Sequence, residues 1–330
     1  MTARTVRRRL LVVSVAIALG SAGGARAQAV YAYQPAHPVR IVVPFTAGGS
    51  SDVQARMLAD RLSRLWGQPV VVENRPGAGG HLAGKHVADQ PADGRTLMVG
   101  SIGLHATYGI YPKLPYDPAA DLRVVTVLAE MPHVVVAAPS LPAQDLGQLT
   151  ALAKQHPGTI NFGSAGIGSS VHMMGELYKL QSGAPIVHVP YRGSSAALND
   201  LLGGQIQLMF ENPPTVLAHV RGGRLRALAV TGRQRLAALP EVPTATEAGV
   251  AGFEATSWTT VAVSAKVPQD VVEKLNADLR AVIGALDFRQ GLEAQGMSPV
   301  ANRPGEAQAF VAREKARWDR VILAGKVTAE

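Results

Sequence analysis

An α/β fold in two lobes follows from three features of the chain. Short apolar, β-branched runs alternate with helix patterns along most of its length, which predicts parallel sheets with helices on both faces. A strand running into a glycine-rich turn and then a helix occurs twice, at 39–53 and again at 160–170. Extended runs at 124–128, 134–138 and 258–264 read as crossings from one lobe to the other and back. The expected division is a leader at 1–27, a first lobe built from 28–130 and 256–330, and a second lobe at 131–255.

The leader carries Arg4, Arg7, Arg8 and Arg9 with no acid, then an apolar run over 10–19, then Ala25, Arg26 and Ala27 in the small-x-small form of a cleavage site. This is the pattern of a secretory signal peptide, with Gln28 the first mature residue. The apolar run is well short of the ~20 residues of a membrane span. Arg8 and Arg9 leave the export route open between the general and twin-arginine pathways. A lipoprotein is excluded, because the chain has no cysteine.

From residue 28 onward the elements read as follows. Residues 39–44 form a buried strand, 46–51 a small-residue loop, and a helix begins at Val53 with Val53, Met57, Leu62 and Leu65 on one broad face. Strands at 69–73 and 96–101 flank a turn-rich loop at 74–80 and a helix at 81–89. After the crossing around Met131 and Pro132 come a helix at 143–155, a strand at 160–164, the second glycine loop, and a helix from Ser169 or Ser170. Strands at 186–190, 205–210 and 225–231 alternate with helices at 194–202 and 213–220. Helices at 269–285, near 288–295 and at 304–323 finish the chain.

Charge is less informative than it looks. The formal balance of +8 includes five arginines of the leader, so the mature chain carries 27 basic against 24 acidic residues, a net of +3. No basic run survives, and a nucleic-acid partner is not expected. The absence of cysteine excludes disulfides, thiolate metal sites and a cysteine nucleophile. The nine histidines are scattered without metal-ligand spacing, so neither metal nor cofactor is expected. Residues 79–85, GGHLAGK, nearly match a P-loop, but His86 stands where Ser or Thr would hold magnesium. No G-x-S-x-G, H-E-x-x-H or S-x-x-K occurs, and no nucleophile is paired with a base.

A strand, a glycine turn and a helix start together make an anion site: the glycines bring N–H groups close, and the helix start carries partial positive charge. At Gly49 a side chain would displace an anion, and the backbone angle there is expected to demand glycine. Asp52 reads as a helix N-cap, or as a group that orients the loop or meets a ligand; the cap is favoured. Ser164, Ser169 and Ser170 are caps or hydroxyl donors to a carboxylate. Tyr191 and Arg192 leave a strand at the same edge, and Glu211 either faces the cleft or solvates a turn. Glu176, four residues after His172, reads as an ordinary helix contact.

Several long motifs carry a resemblance. PVRIVVPFTAGGSSDVQARMLADRLS, QPVVVENRPGAGG, DGRTLMVGS, NFGSAGIGSSVHMMGELY and VPYRGSSAALNDLLGGQIQLMF resemble, in order, the Bug-type solute receptors of tripartite tricarboxylate transporters, as do GRLRALAVTG and LPEVPTATEAGVAGFE. The resemblance covers nearly the whole mature chain. It implies a periplasmic-binding-protein-like (type II) Venus flytrap, two α/β lobes joined by a hinge, that captures a small carboxylate in the periplasm and hands it to membrane transporter subunits. Carried over position by position, it points to Thr46, Gly48, Gly49, Ser50, Asp52, Ser101, His105, Ser164, Gly166, Ser169, His172 and Tyr191; Arg192 joins them as the one nearby cation. Thr46 and Ala47 replace prolines common in the family, 193–198 read GSSAAL where GGAPAL is common, and Gln207 replaces an acid. These departures fall on the distal pocket more than on the carboxylate clamp. The chain is expected to act as a monomer. A signalling receptor and a periplasmic enzyme on the same scaffold are the alternatives; a neighbouring sensor kinase gene would favour the one, and turnover of a bound acid the other.

Overall fold

Valine and isoleucine at alternate positions give the first strand two apolar faces, and each meets its own layer of helices. The computed structural model describes residues 35–329; the signal peptide read at 1–27 lies outside the described residues. β1 (Val39–Val43) leads into α1 (Ser50–Trp66), β2 (Val70–Asn74), α2 (His81–Ala88), β3 (Thr96–Ser101) and the one-turn α3 (Ile102–His105). Val39, Ile41 and Val43 pack with Leu58 and Leu62 of α1, while Val42 and Met98 pack with Ala83 and Val87 of α2. The buried face of α1 is Ala55, Leu58, Ala59, Leu62 and Trp66, not the face read from the sequence; Leu65 is exposed.

β4 (Leu122–Pro132) and β5 (Val134–Ala137) carry the chain from one sheet to the next. The second lobe continues through α4 (Leu146–Gln155), β6 (Asn161–Ser164), α5 (Ser170–Ser182), β7 (Val187–Pro190), α6 (Ser194–Leu202), β8 (Leu208–Glu211), α7 (Pro213–Arg221) and β9 (Arg226–Val230). β10 (Thr256–Ser264) returns to the first sheet, followed by α8 (Gln269–Gly284), α9 (Leu286–Ala294), the short β11 (Ser298–Pro299) and α10 (Pro304–Gly325). The six-stranded sheet runs β11-β4-β10-β3-β1-β2 and the five-stranded one β7-β6-β8-β5-β9.

Neither sheet is wholly parallel, which corrects the sequence reading. β1 is parallel to β2 and β3, and β6 to β7 and β8. The crossing strands are not: β10 is antiparallel to β3 and β4, and β5 to β8 and β9. A strand that arrives from the other lobe has no crossover helix to reverse it, so it is not held to the parallel direction of the βαβ units. The parallel strands still bring their carboxyl ends, and the loops after them, to one edge of each sheet. Those two edges face each other.

Candidate functional site

The two edges enclose a small polar nook. Its walls are Phe45, Gly49, Ser50 and Ser51 of the first loop and α1, Ser101 after β3, Ala165, Ser169, Ser170 and Val171 of the second loop and α5, Ser194, Asn212, and Ser257 and Thr259 of β10. Among the described residues, no charged side chain lines it. Its free volume is about 30 Å³, room for roughly two waters. Four helices start at its wall: α1 at Ser50, α5 at Ser170, α6 at Ser194 and α7 just after Asn212. The first N–H groups of a helix have no partner within it, and they carry the positive end of its dipole. Only one of the four is capped by a side chain: Ser169 Oγ accepts from His172 N at 3.3 Å. Gly49 and Gly193 have nothing to cap with, and Asn212 leaves its helix uncapped. Ser101 Oγ, Asn212 Oδ1 and Thr46 Oγ1 are buried without a hydrogen-bond partner among the described residues.

Asp52 does not line the nook; it braces the first loop from behind. α1 begins three residues earlier than the sequence suggested, so Asp52 sits in its first turn and Gly49 takes the N-cap position. The Asp52 carboxylate accepts from Gly48 N at 3.0 Å, from Asn74 Nδ2 at 3.0 Å, and from Arg56 through Nε at 2.9 Å and Nη2 at 3.0 Å. Burial opposes its charge, but the bonds from Arg56, Gly48 and Asn74 hold its carboxyl below the usual range. The left-handed glycine of this loop is Gly48 (φ +84°); Gly49 has an ordinary φ of −78°, so its backbone does not demand glycine. Thr46 and Gly48 face the second lobe: Gly48 lies against Ser195, and a Cβ on Gly193 would collide with Thr46 Oγ1.

The second loop is held in the same way, from inside its lobe. Ser164 is fully buried; its Oγ meets His188 Nε2 at 2.6 Å and accepts from Gly166 N at 3.1 Å. His172 Nδ1 accepts from Gly168 N at 3.0 Å, its ring stacks on His188 at 3.9 Å, and its Nε2 lies 3.5 Å from Glu176. Ser164 is therefore hydrogen-bonded to a histidine, a pairing the sequence did not disclose, but it has no exposed surface from which to react and it fixes the loop. His188 is driven down to about 3 by burial and the neighbouring His172. Glu176 is opposed by burial, yet its bonds to His172 and Lys179 hold it below the usual range. His105 is buried behind Ser101 and meets Thr260 Oγ1 at 3.0 Å. Burial, then His81, pushes it to about 3.

Outside the nook, and sharing Phe45 and Ala165 with it, opens a chamber of about 860 Å³. Leu82, Tyr111, Ile167, Tyr191 and Gly166 line it, and among the described residues Arg192 is its one charged lining residue. Among the described residues, no carboxylate lines it. Tyr191 donates to Asp200 at 2.7 Å, and Arg192 is exposed. Three bonds cross between the lobes around these cavities: Thr107 Oγ1 to Gly168 O at 2.7 Å, Tyr111 OH to Ile167 O at 2.8 Å, and Ser195 Oγ to Ala47 O at 2.7 Å.

Of the residues the sequence nominated, Gly49, Ser50, Ser101, Ser169 and Ser170 meet at the nook, and Gly166, Tyr191 and Arg192 at the chamber. Asp52, Ser164 and His172 brace the loops, His105 backs Ser101, and Thr46 and Gly48 lie between the lobes. Ser51, Ser194, Asn212, Ser257 and Thr259 were missed. Asn212 before two prolines is a readable helix start; Ser257 and Thr259 give no sign beyond alternation along a strand. Glu211 neither faces the cleft nor solvates a turn, because it is fully buried. Among the described residues no cluster of His, Asp or Glu could hold a metal ion, and no helix is long and apolar enough to cross a membrane.

Residues 54–326 match the family described as tripartite tricarboxylate transporter family receptor. Protein BugT of Bordetella pertussis is 38% identical over 316 residues, 95% of this chain and 96% of that one. A protein encoded in the tcbD-tcbE intergenic region of Pseudomonas sp. strain P51 is 35% identical over 98% of this chain and 96% of its own length. Among solved structures, Rpa4515 of R. palustris with adipate superposes with a TM-score of 0.87 at 38% identity, over 89% of this chain and 99% of that one. MatC of Rhodopseudomonas palustris with bound malate superposes with a TM-score of 0.83 at 33% identity, over 87% and 99%.

Proposed function

We infer, from the premise that this chain belongs to the family of tripartite tricarboxylate transporter receptors, that it captures a small carboxylate between its lobes. It then passes the ligand, in the periplasm, to the membrane subunits of a transporter of that class. The observation that carries the reading is the convergence of four helix starts on one nook without a charged side chain. One helix start supplies up to ~2 kcal/mol to a partly buried anion. Four of them approach the ~8 kcal/mol of micromolar binding without a formal positive charge. The role is binding, not catalysis.

The nook admits a carboxylate head and no more, so the body of the ligand lies in the outer chamber. Its walls favour an apolar chain or ring, and Arg192 offers a place for a second anionic group. The relatives seen with adipate and malate support an acid of this kind. We assign contact with the head to the N–H groups and hydroxyls at Gly49, Ser50, Ser169, Ser170, Ser194 and Asn212. The lobes divide where the chain changes sheets, near residues 132–134 and between 230 and 256.

Calorimetric titration with adipate, its diamide and its dimethyl ester tests this account. Adipate binds, and the two neutral derivatives bind at least a hundredfold more weakly, because neither brings the charge that helix starts select. Equal binding of the ester would remove the anion from the account.

A further inference from the structure

We propose that Glu211 takes up a proton from solvent as the nook receives its anion, so that ligand capture by this receptor is proton-linked. The proposal rests on the carboxylate reading of the nook. Glu211 closes β8 and is fully buried. Its Oε1 accepts from Asn212 N at 2.8 Å and lies 3.5 Å from Asn212 Nδ2. Its Oε2 has no hydrogen-bond partner among the described residues. The hydroxyls of Ser194 and Thr215 lie against the carboxyl, and Thr215 Oγ1 is itself without a partner.

Such an arrangement suits an acid and not a carboxylate. An ionised carboxylate buried with one oxygen unsatisfied and no cation beside it is costly. A protonated one turns Oε2 into a donor, and hydroxyl acceptors stand next to it. Burial raises the group to about 7 against the hydrogen bonds of Ser194, Asn212 and Thr215, which favour the carboxylate. No neighbouring element offers a compensating charge. Opposite Glu211 on β5 stands Val134, preceded by His133, which burial keeps neutral. The adjoining end of β6 carries Ser164 with His188, also neutral through burial. Of the helices around it, α6 and α7 contribute Ser194 and Thr215, and α5, which packs on β8, carries His172, Glu176 and Lys179, with Glu176 held between the other two.

The link to the ligand is spatial. Ser194 and Asn212, which touch Glu211, also line the nook. An anion in the nook therefore sits one layer of neutral side chains from Glu211, and like charges at that range favour the protonated acid. The step is balanced: the carboxylate gains one proton from solvent to form an O–H bond, the head group of the ligand brings one negative charge to the nook, and the net charge of the nook with Glu211 is unchanged.

Titration calorimetry of the whole mature protein with adipate, in pairs of buffers of different ionisation enthalpy, measures the proton count. Adipate keeps both carboxyls ionised from pH 7 to 8.5, so the count belongs to the protein. Uptake of about half a proton at pH 7 is expected, rising toward one at pH 8.5, with affinity falling close to tenfold per unit above that midpoint. E211Q removes the uptake and flattens the profile. Should E211Q fail to fold, infrared difference spectra of the wild type at pH 8 decide, through a protonated-carboxyl band that appears with adipate. Adipate binding without proton uptake, or an uptake that persists in E211Q, overturns the proposal and leaves the carboxylate reading standing. Failure of adipate to bind at both pH 6 and pH 8 overturns the carboxylate reading and this proposal with it.

Discussion

Glu211 is a side chain whose ionisation opposes the fold even before a ligand arrives. Its carboxyl titrates near 4.5 when unburied and near 7 in the native protein, with burial the leading cause. Below pH 4.5 both states hold the proton and the group contributes nothing. Between 4.5 and 7 the unfolded chain has released its proton and the native state has not, so stability falls as pH rises. Above 7 the loss is complete, at about 3 kcal/mol. E211Q therefore matches the wild type in urea unfolding near pH 4 and exceeds it by about that amount at pH 8. A difference that does not change with pH would show that Glu211 does not titrate in this range. Asp52 is the opposite case, a buried carboxylate fully satisfied by Arg56, Asn74 and Gly48. Asp52 stands in the first turn of α1 with its Arg56 partner one helical turn away, a spacing the sequence shows, whereas Glu211 closes β8 and its surroundings come from α6, α7 and β5, which the sequence does not show.

The loops that follow β1 and β6 place the same residue type under different constraints, and one substitution separates them. Gly168 has φ +77°, and a Cβ there would lie 2.6 Å from Ile110 Cδ1. Gly168→Ala meets both a left-handed backbone, roughly 1–2 kcal/mol, and a collision, so it lowers thermal stability along with ligand affinity. Gly49 has φ −78°, and its Cβ would meet only Thr46 O at 3.7 Å. Gly49→Ala gives up only the N-cap preference of glycine over alanine, ~1 kcal/mol at most, but it places a methyl at the nook, and its main effect is on binding. Parallel loss of stability and affinity in both variants would show that the two loops are not distinguished by their backbones. At this scale the strands and helices were legible, since β-branched runs, glycine turns and apolar spacing are local signals. The antiparallel course of β10 was not, because its partners β3 and β4 lie more than a hundred residues upstream. For the same reason Ser257 and Thr259 escaped notice, while the glycine loops and Ser169 did not.

Across the whole molecule, the two lobes meet through protein as well as through the space a ligand would fill. Two matching glycine loops, with the family resemblance, made two hinged lobes around one carboxylate the expectation. They could not disclose the bonds that cross the cleft, whose partners stand 56, 61 and 148 positions apart. Thr107, fully buried, and Tyr111 donate from the first lobe to carbonyls of the second loop, and Ser195 donates back to Ala47. Each such bond is worth about 1 kcal/mol net, and all three join protein to protein across the cleft. They bias the receptor toward closure, and the ligand adds its own share because it touches loops on both sides. Thr107→Val with Tyr111→Phe keeps the shapes and removes two of the donors, shifting the balance toward the open form by about 2 kcal/mol. That corresponds to at most a thirtyfold loss of affinity, and less if the wild type is already mostly closed. Small-angle scattering of the ligand-free double variant should give a larger radius of gyration than the wild type, and saturating adipate should bring the two together. Identical scattering and identical affinity would mean that these hydroxyls only follow a closure decided by the ligand. A wider variant that adipate cannot close would mean that the same bonds are needed to complete the nook.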